Sequence, residues 1–168
     1  MLSVIIETEN DEDALARSLT SLVGGAIEGV VREVIVCDRA SSDGTNRVAD
    51  LMGCHFVPTG GVAAGIRQAR SDWLLLLEPG ARLSDGWMEA AVHHLNTAET
   101  PARFTRSRLE RPSFLSRLAA FRRPLVDGLL IPRRQAMALA QVNPDAAGIA
   151  RKVSAKRLTG EIFLAQPA

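Results

Sequence analysis

EVIVCDRASSDGT, residues 33–45, reads as a strand, a loop and the start of a helix in one run. Glu33–Cys37 is short, apolar and rich in β-branched residues, as a buried strand requires. Asp38–Ser42 follows as a loop, and Ser42 and Asp43 stand where a side-chain oxygen caps the next helix. That helix is expected to run to Met52, and Gly53 can close it in the left-handed conformation. Asp38 is the residue that capping does not explain. A carboxylate leaving a buried strand at the open end of a sheet can accept hydrogen bonds from a pyrimidine N–H or a ribose hydroxyl.

The same unit recurs on both sides. Upstream, LSVII (Leu2–Ile6) is a second β-branched run, followed by Asn10 as an expected helix N-cap and by Asp11, Glu12 and Asp13 in a first turn, where acids suit the helix dipole. Ala14, Leu15, Leu19 and Leu22 mark the apolar face of that helix. Downstream, CHFV is a third strand, followed by a glycine-containing loop and a helix through Ala69. WLLLL (Trp73–Leu77) is apolar throughout and is expected at the centre of the sheet, buried on both faces. Strands alternating with helices at this spacing call for right-handed crossovers and a mainly parallel sheet. Ligands of such sheets bind at the carboxyl ends of the strands, which places Thr8–Asn10, Asp38–Asp43 and Glu78–Arg82 on one edge.

The 168 residues, 46% hydrophobic and 23% charged, suit one globular domain over 1–168. No apolar run approaches the roughly 20 residues of a membrane span, and MLSVIIETEN lacks the basic flank and cleavage site of a secretory signal. The expected compartment is the cytoplasm. Cys37 and Cys54 lie in apolar runs without metal-ligand spacing and are expected as structural thiols. The net charge of +1 hides an asymmetry: residues 1–100 carry 7 Arg against 15 acids, residues 101–168 carry 13 Lys and Arg against 4 acids. Two readings stand: the halves attract each other within the domain, or the basic half faces phosphate or an anionic membrane. Arg103–Arg123 holds seven Arg and one Glu, with Phe114, Leu115, Leu118 and Phe121 spaced for one helical face. That stripe either closes the core or lies peripherally on the inner face of a membrane. Nucleic acid is the poorer partner, because the chain has no Tyr, is 4% aromatic and is acidic in its first half.

Three segments together resemble the family 2 glycosyltransferases. VIIETENDEDAL is similar to their VIIPTxNEExxL opening, EVIVCDRASSDGT to EVIVVDxxSxDGT, and SDWLLLLEPGARL to GDxLLFLDADxxL, in the same order and spacing across residues 2–95. Further on, GLLIPRRQAM resembles the family's later strand before a helix. The resemblance implies an α/β fold of the GT-A-like, Rossmann type, a mainly parallel sheet with helices on both faces. Residues 1–100 would form the nucleotide-binding half and 101–168 the acceptor-side half. It further implies a nucleotide-sugar donor, uridine- or guanosine-linked, with Thr8, Asn10, Asp38, Asp43 and Gly65 as nucleotide-binding positions. Many relatives act on lipid-linked acceptors, which would suit an anionic membrane surface.

The departures from the pattern bear on chemistry. The family's acid pair after the fourth strand holds Mg²⁺ or Mn²⁺ against the donor diphosphate, since hard oxygen ligands suit those cations. Here the register reads Glu78-Pro79-Gly80, so Glu78 is the one candidate metal ligand and Gly80 contributes no side-chain oxygen. Ala63 replaces the Asn before Gly65, and Glu7 replaces the first-motif Pro. Asp145, before AAGIARKV, is the closest match to the base that deprotonates an acceptor hydroxyl, although Asn143 or Asp145 would equally cap the helix 146–152. The expected activity is transfer of a sugar from a nucleotide donor; the alternative is a catalytically impaired nucleotide-binding or scaffold module that retains the fold.

Overall fold

Trp73–Leu77 forms the fourth strand, β4, and the sheet grows from it in both directions. The structure is a computed structural model that describes residues 1–107 and 123–164. On one side of β4 lie β1 (Leu2–Thr8), β2 (Val31–Asp38) and β3 (His55–Val57), all mutually parallel. On the other side lie β7 (Leu129–Pro132), β6 (Ala102–Arg106), β8 (Lys156–Phe163) and β5 (Arg82–Leu83). β7 is antiparallel to both β4 and β6, β8 is parallel to β6, and β5 is antiparallel to β8. The order β3-β2-β1-β4-β7-β6-β8-β5 therefore joins a parallel half to a mixed half. The expected strand–helix alternation holds for the first half, and the antiparallel return of β7 is what pattern alone did not disclose.

Side-chain alternation along the strands divides the core into two layers. Val4, Ile6, Val36, Leu75 and Leu77 pack with Leu15, Leu19 and Leu22 of α1 (Glu12–Ile27) and with Trp87 and Ala91 of α4 (Trp87–Thr97). Ile5, Ile35, Cys37, Leu74 and Leu76 face Val62 and Ile66 of α3 (Gly61–Gln68), Ala136 of α5 (Arg133–Ala140), and Ala146 and Ile149 of α6 (Ala146–Arg151). Helices thus cover both faces. A fully buried aliphatic side chain contributes about 1.5–3 kcal/mol, whereas an exposed ion pair contributes about 0–1 kcal/mol. The two apolar layers, not the surface charges, hold the sheet edge in place.

Several local expectations are refined. Asn10 is not the N-cap of α1: it has a left-handed φ of 58° and the cap position is Asp11. Asp38 is the last residue of β2 rather than the first of the loop. α2 (Thr45–Leu51) ends before Gly53, whose φ of 69° closes it as expected. Burial pushes the thiol of Cys37 up to about 12 and that of the partly buried Cys54 up to about 11, which keeps both protonated. Among the described residues no helix is long and apolar enough to cross a membrane. The stripe Phe114, Leu115, Leu118 and Phe121 lies outside the described residues. Two arginines at the start of that basic stretch are engaged within the domain: Arg103 donates to the carbonyls of Pro124 and Ala150, and Arg106 to Asp127.

Candidate functional site

The parallel register sets Thr8 beside Asp38 and Ile6 beside Leu77, so β1, β2 and β4 all release their chains at one edge. Asp38 is 7% exposed there, and its charge is met by hydrogen bonds rather than by a cation. Its Oδ1 accepts from the Thr8 hydroxyl at 3.0 Å and the Ser41 hydroxyl at 2.6 Å, and its Oδ2 accepts from the Ser41 amide at 2.8 Å. A carboxylate has about four acceptor sites, which leaves Oδ2 capacity for a further donor such as a base N–H.

The two loops flanking Asp38 are tied to each other. Asn10 accepts from the amide and hydroxyl of Ser42 at 2.8 and 3.1 Å, while its own amide donates to Ser41 Oγ at 2.7 Å. Asp43 accepts from the amide of Glu12 at 3.0 Å, and Glu12 accepts from the amide of Gly44 at 3.0 Å, a reciprocal bond between the starts of α1 and α2. The Thr45 hydroxyl, together with the Thr45 and Glu12 amides, holds the Asp43 carboxyl below its ordinary value. Asn10 and Ala40 are the non-glycine residues with positive φ among the described residues, at 58° and 59°. Asn tolerates that conformation, but Ala in it costs about 1–2 kcal/mol. Such strain persists only where the surroundings over-determine the backbone.

Thr8, Asn10, Asp38 and Asp43 are thus brought together. Gly65 is buried inside α3 against the residue before Asp38, and a Cβ there would overlap Cys37 Sγ and press on Ile35. Its missing side chain permits the close approach of α3 to β2. Asp145 is the N-cap of α6 and accepts from the Gly148 amide. The amide of Ala146, the next residue, donates to Glu7 Oε2 at 3.1 Å, so α6 is anchored on the end of β1 at the same edge as Asp38. Burial pushes the Glu7 carboxyl up, the Ala146 amide opposes it, and the nearby Asp145 charge adds to the rise.

Glu78 leaves β4 between these groups and the mixed half of the sheet. Its side chain is 15% exposed and its Oε2 lies 2.5 Å from Arg123 Nη2. Burial pushes this carboxyl up against the opposing charge of Arg123. Gly80 has a φ of 87° and donates its amide to Ser18 Oγ at 2.8 Å. The single carboxylate expected to hold a cation is therefore engaged by a guanidinium. Among the described residues no three His, Cys, Asp or Glu side chains converge as a metal site. One step further along the edge, Asp127 is clamped by Arg106 at 2.5 Å and Arg157 at 2.8 Å. Neither Arg123 nor Asp127 carried a signal in the motifs, whereas Ser41 stands at the serine of the EVIVVDxxSxDGT pattern, three positions after the strand-end Asp38. A cleft of about 580 Å³ lined by Asp72, Trp73, Glu99, Pro132 and Arg133 opens at the opposite end of β4 and does not coincide with this edge.

The family model described as glycosyl transferase family 2 matches residues 3–156. Mycobacterium tuberculosis glucosyl-3-phosphoglycerate synthase, solved with Mn²⁺, uridine diphosphate and phosphoglyceric acid, is 18% identical, with a TM-score of 0.61 over 83% of this chain and 58% of that one. A second structure of that synthase gives a TM-score of 0.67 at 16% identity, covering 100% of this chain and 72% of the other. A mannosyltransferase from Pyrobaculum calidifontis, solved with GDP-mannose and Mn²⁺, gives 0.69 at 17% identity, over 99% of this chain and 57% of that one. At these identities the likeness is one of fold, and this chain spans little more than half the length of the first and last of them. No curated protein matches the sequence.

Proposed function

Because the chain belongs to glycosyl transferase family 2, we propose that it transfers a sugar from a nucleotide donor to an acceptor hydroxyl, with residues 1–100 holding the donor and 101–168 shaping the acceptor side. The observation that carries this reading is the buried Asp38, held by Thr8 and Ser41 at the carboxyl edge with acceptor capacity to spare. Asp38 would accept from the base, and the tied loops at Asn10 and Asp43 would wall the nucleoside. Similar structures solved with UDP or GDP-mannose support a uridine or guanosine donor. Several of them hold Mn²⁺ or Mg²⁺ with the nucleotide, which is consistent with a divalent cation accompanying donors in this family. Among the described residues Glu78 is the one candidate carboxylate at that register, and it is paired with Arg123.

Asp145 would act as base. Its Oδ1 is spent on the Gly148 amide, so Oδ2 is the atom that would take the acceptor proton as the acceptor oxygen bonds to the anomeric carbon. The bond from that carbon to the diphosphate breaks in the same transfer, and nucleoside diphosphate leaves. The test is calorimetric titration of UDP and GDP, followed by release of nucleoside diphosphate from UDP-glucose or GDP-mannose. Binding of one nucleotide that disappears in Asp38→Ala supports the reading. Absence of binding by either nucleotide at millimolar concentration overturns it.

A further inference from the structure

Glu78, Arg123, Asp127, Arg106 and Arg157 meet where β4 ends and β7 begins, next along the edge from Asp38. Among the described residues, three guanidiniums face two carboxylates here. The two carboxylates are well shielded, with side-chain exposures of 15% for Glu78 and 6% for Asp127, while Arg123 and Arg157 are 36% and 56% exposed. The acids therefore lie beneath and the guanidiniums lie toward solvent. A divalent cation approaching Glu78 would meet the Arg123 charge first, and Gly80 offers it no side-chain oxygen. An anion would meet the Arg123 guanidinium on the solvent side of its ion pair with Glu78.

We propose that Arg123, anchored on Glu78, supplies the positive charge that receives the donor diphosphate, so that nucleotide binding by this chain is independent of divalent metal. The inference rests on the nucleotide-binding reading above. Glu78 is then a positioning residue: it orients Arg123 and does not itself contact phosphate, which it would repel. The same guanidinium would stabilise the charge that develops on the diphosphate as the bond to the sugar breaks.

The experiment is titration of UDP and GDP into the full chain, in EDTA and in Mn²⁺, with uridine and guanosine as phosphate-free controls. The expected result is equal affinity for the bound diphosphate in EDTA and in Mn²⁺. Arg123→Gln should weaken the diphosphate by roughly ten- to a hundredfold, the scale of a charged hydrogen bond, and leave the nucleoside unchanged, which also reports that the variant is folded. Diphosphate binding that vanishes in EDTA and returns with Mn²⁺ overturns the inference and leaves the transferase reading standing. Equal diphosphate affinity in wild type and Arg123→Gln overturns it as well. If neither nucleotides nor nucleosides bind under any condition, both readings fall together. Should Arg123→Gln not fold, the comparison of EDTA with Mn²⁺ in the wild type decides alone.

Discussion

Glu7 Oε2 accepts the backbone amide of Ala146 at 3.1 Å, a bond between residues 139 positions apart that seats the last helix on the first strand. It places Asp145 at the carboxyl edge although nothing near Asp145 in sequence points there. The bond comes at the cost of a half-buried carboxylate, whose proton affinity burial has raised.

The sign of the resulting pH dependence follows from that rise. Between the ordinary glutamate value and the raised one, the folded chain holds a proton that the unfolded chain has released, so Glu7 lowers stability as pH rises through this interval. Glu7→Gln keeps an oxygen for the Ala146 amide and removes the charge. The variant should be more stable than wild type at neutral pH, and the difference should shrink toward acid pH. Glu7→Ala, which orphans the amide, should lose about 1–3 kcal/mol. Denaturant unfolding of the three proteins across pH checks both; a wild type more stable than Glu7→Gln at neutral pH would contradict the assignment.

Asp38→Asn tests the nucleoside pocket with little change of shape. The amide group can still accept from Thr8 or Ser41, but it presents a donor to the base N–H where a carboxylate oxygen stood. Nucleoside affinity should fall roughly ten- to a hundredfold, the scale of a hydrogen bond to a charged group, and stability should fall by about 1–3 kcal/mol because the new amide nitrogen faces the Ser41 N–H that Oδ2 had accepted. Undiminished affinity would remove Asp38 from the site.

Restoring the family's second acid by Gly80→Asp should not by itself create metal-dependent binding. The backbone at φ 87° strains any side chain by about 1–2 kcal/mol, and the Glu78 carboxylate is engaged by Arg123. UDP affinity with and without Mn²⁺ should stay equal in Gly80→Asp. A metal-dependent gain in that single variant would show that Glu78 can leave Arg123 for a cation.

Ala40→Gly should stabilise the fold by roughly 1 kcal/mol, because glycine relieves the left-handed backbone of the Asp38 loop. Gly65→Ala should do the reverse and cost about 1–3 kcal/mol, since a methyl group there overlaps Cys37 Sγ between α3 and β2. Thermal unfolding measures both. Nucleotide affinity should be unaffected in folded Gly65→Ala, and a selective loss of binding would return Gly65 to the donor site.

The amino-acid sequence by itself determined the alternation of strand and helix, the central place of Trp73–Leu77, and the edge on which Thr8, Asp38 and Glu78 emerge. Those features depend on apolar periodicity and helix-start chemistry within a few neighbouring residues, and the motif around Asp38 adds its own local order. Only the tertiary structure decided what faces those residues. The same pattern that marks Glu78 as the end of a buried strand is silent on its partner, because β7 runs antiparallel to β4 and the residues that lead into it, Arg123 and Asp127, therefore lie at the same edge. Asn10 reads as a helix cap until the loop of Ser41 and Ser42 claims its side chain and amide. The tight fit of Gly65 against Cys37 is likewise written in neither segment alone. Burial along one segment is written in that segment; the partner that satisfies a buried charge or fills a gap is chosen by the packing of distant segments.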